Sequence, residues 1–484
     1  MVAKKAKYGT EIDLTSGNIF VKMLIFSLPV IFTSILELLF TSSNLFIVAH
    51  FSNDGMGSVY MASIASNGSL INLLVNTFAE FSVGANVIVS RFKGANDRYR
   101  ATKAATNSLL LAFSLGIMVG ITGFFCSRYI LVLMKTKAEY IDGAEAYLSI
   151  YFLGCPFLLT YNFGASILRA LGDSRRPLYA LMLCLLINVC LSFMFVMGFG
   201  MKVRGVGYAV VISEFMEMVC VVYFIVKKKG NFLQVHKDSW LVDWNELGPV
   251  LKNGFPAGLE SFIFALTNVA IQMSANEWCD ASAIAGSTAS DTIEGYIFAS
   301  LQAFAIATSS VSSQNLAAKN KKNLKLCLRF SVGMIIGLGL VLGLLAVLLR
   351  EQLIGLFISS NANDEIDLDE AMSQGERRLM MMGSLYFMCS VMDACSGYLR
   401  GLGHWLLPTV ITLLAACVLR LVYVFAIVPY VPALQNVLMI YLAYPLAWST
   451  ADLIYLFIIP IIQKKTMRQI DEEKRTMPQI KRAC

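Results

Sequence analysis

The chain has 484 residues, of which 57% are hydrophobic and 15% charged. A soluble domain carries about 25% charged residues, so this composition marks a multi-span membrane protein whose apolar runs, roughly 20 residues each, cross a bilayer. The net charge of +7 is spread over many short loops, so it is no signal for nucleic acid.

Apolar runs fall at about 24–48, 59–89, 104–126, 145–167, 177–199 and 205–226, and again at about 251–275, 281–313, 327–349, 379–399, 408–428 and 437–462. They predict twelve helices, six in an N-lobe (24–226) and six in a C-lobe (251–462). A tail (1–23), a linker (227–250) and a second tail (463–484) complete the chain. No small-residue cleavage site follows the first run, so a removable signal peptide is not expected. Of the 39 Lys and Arg residues, 30 lie on the side shared by the two termini and 8 on the other. That asymmetry places both termini in the cytoplasm of a cell membrane, the bacterial inner membrane being the expected one. The linker, with Trp240 and Trp244, reads as a cytoplasmic connector whose aromatics rest at the interface. The loop 359–378, with Asp364, Glu365, Asp367, Asp369 and Glu370, reads as a solvated outer loop.

Two stretches match at a separation of 231 residues: Leu168 to Pro177 and Leu399 to Pro408 both read L-R-x-L-G-x-x-x-x-P. Each lies between two long apolar runs, so the protein is one unit written twice. Six crossings return the chain to its starting side, so the second copy enters in the same orientation as the first. The expected fold is therefore an all-α membrane protein, with two six-helix bundles related by a pseudo-two-fold axis along the membrane normal.

No loop is long enough for a catalytic domain of ~100 residues, and no G-x-x-x-x-G-K-[ST] run is present. An enzyme is therefore not expected, and any pumping must draw on an ion gradient or a partner. The eleven cysteines form no C-x-x-C pair and the three histidines are far apart. Neither a disulfide framework nor a metal site is indicated, beyond a transported Na⁺.

A charged side chain at mid-bilayer costs about 2.5–3.5 kcal/mol on insertion scales, so each acid inside a span is a functional candidate. Glu37 shares a helix face with Thr41 and Asn44. The seventh run carries Glu260, Thr267, Asn268 and Gln272, and the eighth carries Ser287, Asp291 and Glu294 in a polar stretch that cannot face lipid. Glu214, Glu217 and Asp393 are also embedded, while Glu80, Glu277 and Asp452 are discounted as near helix ends or paired. Such a carboxylate can hold a proton, Na⁺ or a cationic cargo in turn. Mutually exclusive occupants that favour different conformations are thermodynamically coupled. Thr41, Thr267, Asn268, Gln272 and Ser287 are the candidates to line the cargo path.

Taken in order, several segments resemble the multidrug and toxic compound extrusion (MATE) family, with the DNA-damage-inducible branch nearest in character. They are Pro29–His50, Val83–Asn86 with Gly94–Asp97, Ile167–Pro177 into Asn188, Gly254–Leu259, Gln314–Ala317, Leu399–Pro408 and Tyr444–Trp448. The resemblance covers about 20–462. It implies two six-helix bundles forming a V around a central cavity, and export of organic cations or other amphiphiles against inflow of H⁺ or Na⁺. It implies no other cofactor, with a small organic molecule and the bilayer as partners and a monomer as the working unit. The sequence departs from the family pattern at two positions. The first-span acid of many members aligns with Asn44, and the fifth-span Asn with a following acid reads Asn188 and Ser192. An amide can ligate Na⁺ but does not give up a proton. Either Glu37 takes over, or coupling moves to Glu260, Asp291, Glu294 and Asp393, or coupling is lost; the C-lobe acids are favoured. The rival function is a lipid-linked oligosaccharide flippase of the wider superfamily. A flippase is expected to present more cationic side chains than Arg420 alone, which favours cationic or zwitterionic cargo.

Overall fold

The computed structural model describes residues 11–51, 56–134, 136–227, 232–357 and 367–483, and the side chains of 58 and 475–483 fall outside the description. Twelve long helices account for every predicted apolar run. They are α1 (Ile19–Phe51), α2 (Val59–Gly94, broken near Asn67), α3 (Arg98–Leu133), α4 (Ile141–Ala170), α5 (Arg175–Gly198) and α6 (Lys202–Val226). The second half gives α7 (Trp244–Trp278), α8 (Ala281–Ala317), α9 (Lys321–Leu348), α10 (Leu368–Gly401), α11 (Leu406–Tyr430) and α12 (Val437–Lys474). Eleven are long and apolar enough to cross a membrane; α8, with 37 residues, is long enough but too polar.

The chain forms two compact units. The first holds Met1–Asp13 and Leu28–Gly258, and the second Leu14–Ser27 and Leu259–Cys484. The linker region from Phe232 onward thus belongs to the first unit. Phe232 and Leu233 are buried there, Thr106 Oγ1 donates to Ser239 O (2.5 Å) and Asp243 N–H donates to Asn107 Oδ1 (2.7 Å). Within the tail, Glu11 and Leu14 are held by the helices. Glu11 is ion-paired with Lys93 and accepts from Phe232 N–H (2.9 Å), while Asn315 Nδ2 donates to Leu14 O (2.9 Å).

Within each unit the fourth helix is the hub. In the first unit α4 carries α2, α3 and α6 around it, and in the second α10 carries α8, α9 and α12. Glycines spaced four apart permit the tightest contacts, since their missing side chains let backbones meet. A Cβ at Gly116 of α3 would stand 2.5 Å from Pro156 Cα of α4, and one at Gly343 of α9 would stand 2.4 Å from Gly383 O of α10.

Both hub helices end in the repeated L-R-x-L-G motif, and the reason is local backbone geometry. Gly172 (φ +83°) and Gly403 (φ +96°) take the left-handed turn that stops a helix. Asp173 N–H then donates to Leu168 O (2.9 Å), and His404 N–H to Leu399 O (3.0 Å). The motif proline follows in the first turn of the next helix, where its missing N–H has no intrahelical partner to lose. Two further helix starts also agree between units. Asn96 and Lys319 take positive φ, and then Asp97 caps α3 and Asn320 caps α9 through side-chain oxygens.

One sequence expectation is corrected here. Arg378, assigned to the outer loop 359–378, is buried inside α10, which starts ten residues before it. Asp367 caps that helix by accepting from Asp369 and Glu370 N–H, while Asp364 and Glu365 lie outside the described residues.

Candidate functional site

In the first unit, Asn44 of α1 meets α5: Ser192 Oγ donates to Asn44 Oδ1 at 3.2 Å, with both residues buried. Asn188 lies one turn before Ser192 on the same face, fully buried, and neither end of its amide has a protein partner. The two positions where the family pattern places acids therefore come together, as an amide and a hydroxyl. Immediately after Ser192 the helix winds in a wider π turn (Met194–Gly198), a distortion that recurs at functional sites. Thr41 is exposed and its hydroxyl donates back to Glu37 O on its own helix.

Beside this group stand two acids that composition exposed but spacing did not single out. Glu214 and Glu217 sit one turn apart on α6, 5% and 6% exposed. Glu214 Oε2 and Glu217 Oε1 have no hydrogen-bond partner, and neither acid makes an ion pair among the described residues. Glu214 lies against α4 where Gly154 leaves room; a Cβ there would come within 2.3 Å of its Oε2. The buried Tyr161 hydroxyl stands in the electrostatic field of Glu217. Glu37, exposed on α1, is within electrostatic reach of both Glu217 and Arg169, the arginine of the first repeat motif.

In the second unit Glu260, Asp291 and Glu294 are engaged by arginines, whereas Asp452 Oδ1 on α12 is buried without a hydrogen-bond partner. Arg400, of the second repeat motif, donates through Nη2 to Glu260 Oε2 at 2.6 Å. Arg378, 3% exposed, donates through Nε and Nη2 to Glu294 (3.1 and 3.0 Å), through Nη2 to Asp291 (2.5 Å) and through Nη1 to Ser287 Oγ (2.6 Å). Its guanidinium also lies 3.9 Å from the centre of the Tyr441 ring. Tyr441 Oη donates to Gln272 Oε1 at 2.8 Å, so Gln272 and Ser287 belong to one network around Arg378. Thr267 donates to its own helix at Ile263 O (2.8 Å), and Asn268 Oδ1 accepts from Arg420 Nη1 at 3.3 Å. Asp393 is half-buried on α10, away from the described Arg378 contacts. Of the acids read from the sequence as embedded, Glu294 is buried and Asp291 is exposed, and Arg378 escaped that reading because the polar run before residue 379 resembles a loop.

Outside the spans the charges follow their local partners. Burial raises the Glu11 carboxyl above its usual range against the opposing pull of Lys93. Asp243 is held below its usual range by the Asn245 backbone N–H and then by Lys103. His404 is lowered by burial, with Lys465 adding to the effect.

Comparison with known proteins agrees with this architecture. The MatE family model matches residues 29–194 and 256–426. The chain is 27% identical to the probable multidrug resistance protein YpnP of Bacillus subtilis over 408 residues, covering 84% of this chain and 88% of the relative. It is 24% identical to the probable multidrug resistance protein NorM of Thermotoga maritima over 408 residues, 84% of each chain. Among solved structures, a MOP superfamily transporter from Pyrococcus furiosus, described as having a binding pocket of reversed polarity, superposes with a TM-score of 0.86. Its identity is 18%, over 95% of this chain and 99% of that one. An outward-facing multidrug resistance MATE transporter gives 0.85 at 18% identity, covering 95% and 99%. The solved structures share the fold, a multi-pass bundle of twelve helices, and the family model matches one stretch in each unit. On that match, which spans more than half of its length, the chain belongs to the MatE family of membrane transporters.

Proposed function

We propose that this transporter is a secondary antiporter that expels drug-like organic compounds, cationic or zwitterionic, against inward flow of H⁺ or Na⁺. The curated relatives are described as multidrug resistance and multidrug export proteins, and the chain has no nucleotide-binding motif to power transport otherwise. The working unit in this reading is one chain in the cell membrane, with both termini cytoplasmic and no cofactor beyond the coupling ion.

The observation that carries the reading is the pair Glu214 and Glu217, held inside the first unit with one oxygen each lacking a donor. A buried carboxylate without a partner is costly and takes up a proton or cation instead. Asn188, with both amide atoms unpartnered, supplies a neutral ligand on the adjacent helix. Glu260, Asp291 and Glu294 of the second unit already hold guanidinium groups, so in this reading they brace their unit. Glu214 and Glu217 take the coupling role. Alternating access follows if ion and cargo bind different conformations and exclude one another.

Ethidium movement in proteoliposomes under an imposed pH or Na⁺ gradient tests the reading. Wild type is expected to move ethidium with one gradient, Glu217→Gln to lose that response, and Asp291→Asn to keep it. No response of wild type to either gradient refutes antiport. A full response from Glu217→Gln refutes the assignment of the ion.

A further inference from the structure

Arg420, in the middle of α11, is fully buried and has no carboxylate hydrogen-bonded or ion-paired to it among the described residues. Its Nη1 donates to Asn268 Oδ1, but Nε and Nη2 have no protein partner. The side chains around it include Tyr444, Cys389, Cys417 and Tyr386, and the Cys389 thiol also stands in the field of Asp393 and Asp452. This is a full positive charge at mid-span, in the part of a membrane protein where an ion is most expensive.

Aromatic stacking accounts for part of the arrangement. The guanidinium carbon lies 4.5 Å from the Phe264 ring centre, 4.4 Å from Tyr444 and 5.8 Å from Trp448. Cation–π attraction acts on the faces of the guanidinium plane. The N–H groups point outward within that plane, so stacking leaves Nε–H and Nη2–H unanswered. The Trp448 indole N–H, 1% exposed, also lacks a partner. Three orphaned donors, two of them on one charged guanidinium, thus share an aromatic-walled interior. One turn along α12 from Trp448, Asp452 Oδ1 is also buried without a hydrogen-bond partner, and among the described residues no hydrogen bond joins it to Arg420. The helix around Arg420 is distorted as well. Wider π turns at Leu413–Val418 and Tyr423–Ile427 bracket the single α turn Leu419–Val422 that carries it, and π turns concentrate at functional sites.

We propose that Arg420 is an anion subsite of the second unit that receives the carboxylate of an aromatic, amphiphilic cargo. A carboxylate accepts two parallel N–H bonds from a guanidinium edge, and the flanking rings suit an aromatic body. In this buried state the edge is closed, so the anion enters in a conformation where α11 or α12 has shifted. The identification of the anion as cargo rests on the antiport reading; the subsite itself does not.

The test uses the full chain in detergent micelles with Trp240, Trp244, Trp278 and Trp405 replaced by phenylalanine, which leaves Trp448 as the reporter. Iodide, an anion that quenches indole, is expected to quench Trp448 saturably. Benzoate is expected to displace it and neutral benzamide to leave it in place. Arg420→Met should weaken the saturable component at least about tenfold, as loss of a charge-assisted bond implies, and Arg420→Lys should retain part of it. Quenching that rises linearly, or that is unchanged in Arg420→Met, overturns the subsite. Iodide binding that benzoate does not displace overturns the carboxylate assignment. Ethidium transport by wild type reads the antiport proposal separately. Benzoate binding without transport leaves the subsite standing and antiport refuted, and transport without benzoate binding does the reverse.

Discussion

Replacing Arg378 with methionine separates the two acids that share it. Glu294 and Arg378 have side chains 1% and 3% exposed and meet through two hydrogen bonds of 3.0 and 3.1 Å. Removing one member of such a buried pair costs about 3–5 kcal/mol, because the other charge is left stranded. Asp291 bonds the same guanidinium at 2.5 Å, but its side chain is 68% exposed, so solvent screens it to about 1 kcal/mol or less. Replacing both members of the buried pair, as Arg378→Met with Glu294→Met, should recover stability to within about 1 kcal/mol of wild type. Adding Asp291→Asn to Arg378→Met should recover little. Equilibrium unfolding in mixed micelles with a rising fraction of SDS gives these differences as a double-mutant cycle. A loss below about 1 kcal/mol for Arg378→Met, or a double variant weaker than the single one, would refute the claim that these acids act as braces.

Gly172→Ala puts a Cβ 2.2 Å from Ile12 O at a φ of +83°. Left-handed strain alone costs about 1–2 kcal/mol, so the same unfolding assay should show at least that loss. A neutral result would mean that Gly172 does not hold the left-handed turn that ends α4. Glu11→Gln tests burial against pairing through pH. The Glu11 carboxyl is raised in the folded state, so its contribution is complete below its unfolded value and lost as pH rises through the folded one. Between pH 4 and 8 wild type should therefore lose stability relative to Glu11→Gln, and a gap that stays flat or closes contradicts the dominance of burial.

Much of the architecture was legible because lipid imposes one period on every span. The twelve apolar runs are twelve helices, and the L-R-x-L-G repeat, legible as lying between two apolar runs, ends each hub helix. Its mechanism was not legible, since only the backbone shows Gly172 and Gly403 in left-handed turns. The arginine of the motif gained its meaning from space: Arg400 bonds Glu260 directly, while Arg169 acts on the exposed Glu37 from farther away. The apolar pattern starts α10 at about 379, eleven residues after its true start at Leu368, because Glu376, Arg377 and Arg378 lower the local hydropathy. Those charges are tolerable in a helix because Arg378 turns toward Ser287, Asp291 and Glu294 rather than lipid. Glu214 and Glu217 were visible as embedded acids, but a sequence does not show whether a carboxylate has a partner.

The polarity of α8 also bears on how the chain is built into the bilayer. A segment carrying Asp291, Glu294 and a run of hydroxyls does not partition from the translocon into lipid as readily as its neighbours. Its side chains are answered by helices synthesised later: Ser331 of α9 receives the Thr308 hydroxyl at 2.5 Å, and Arg378 of α10 neutralises the acids. While the ribosome is still making α9, α8 is a poor solo passenger. Its polar groups find their partners only once α9 and α10 have followed it, so stable insertion of α8 is expected to depend on both.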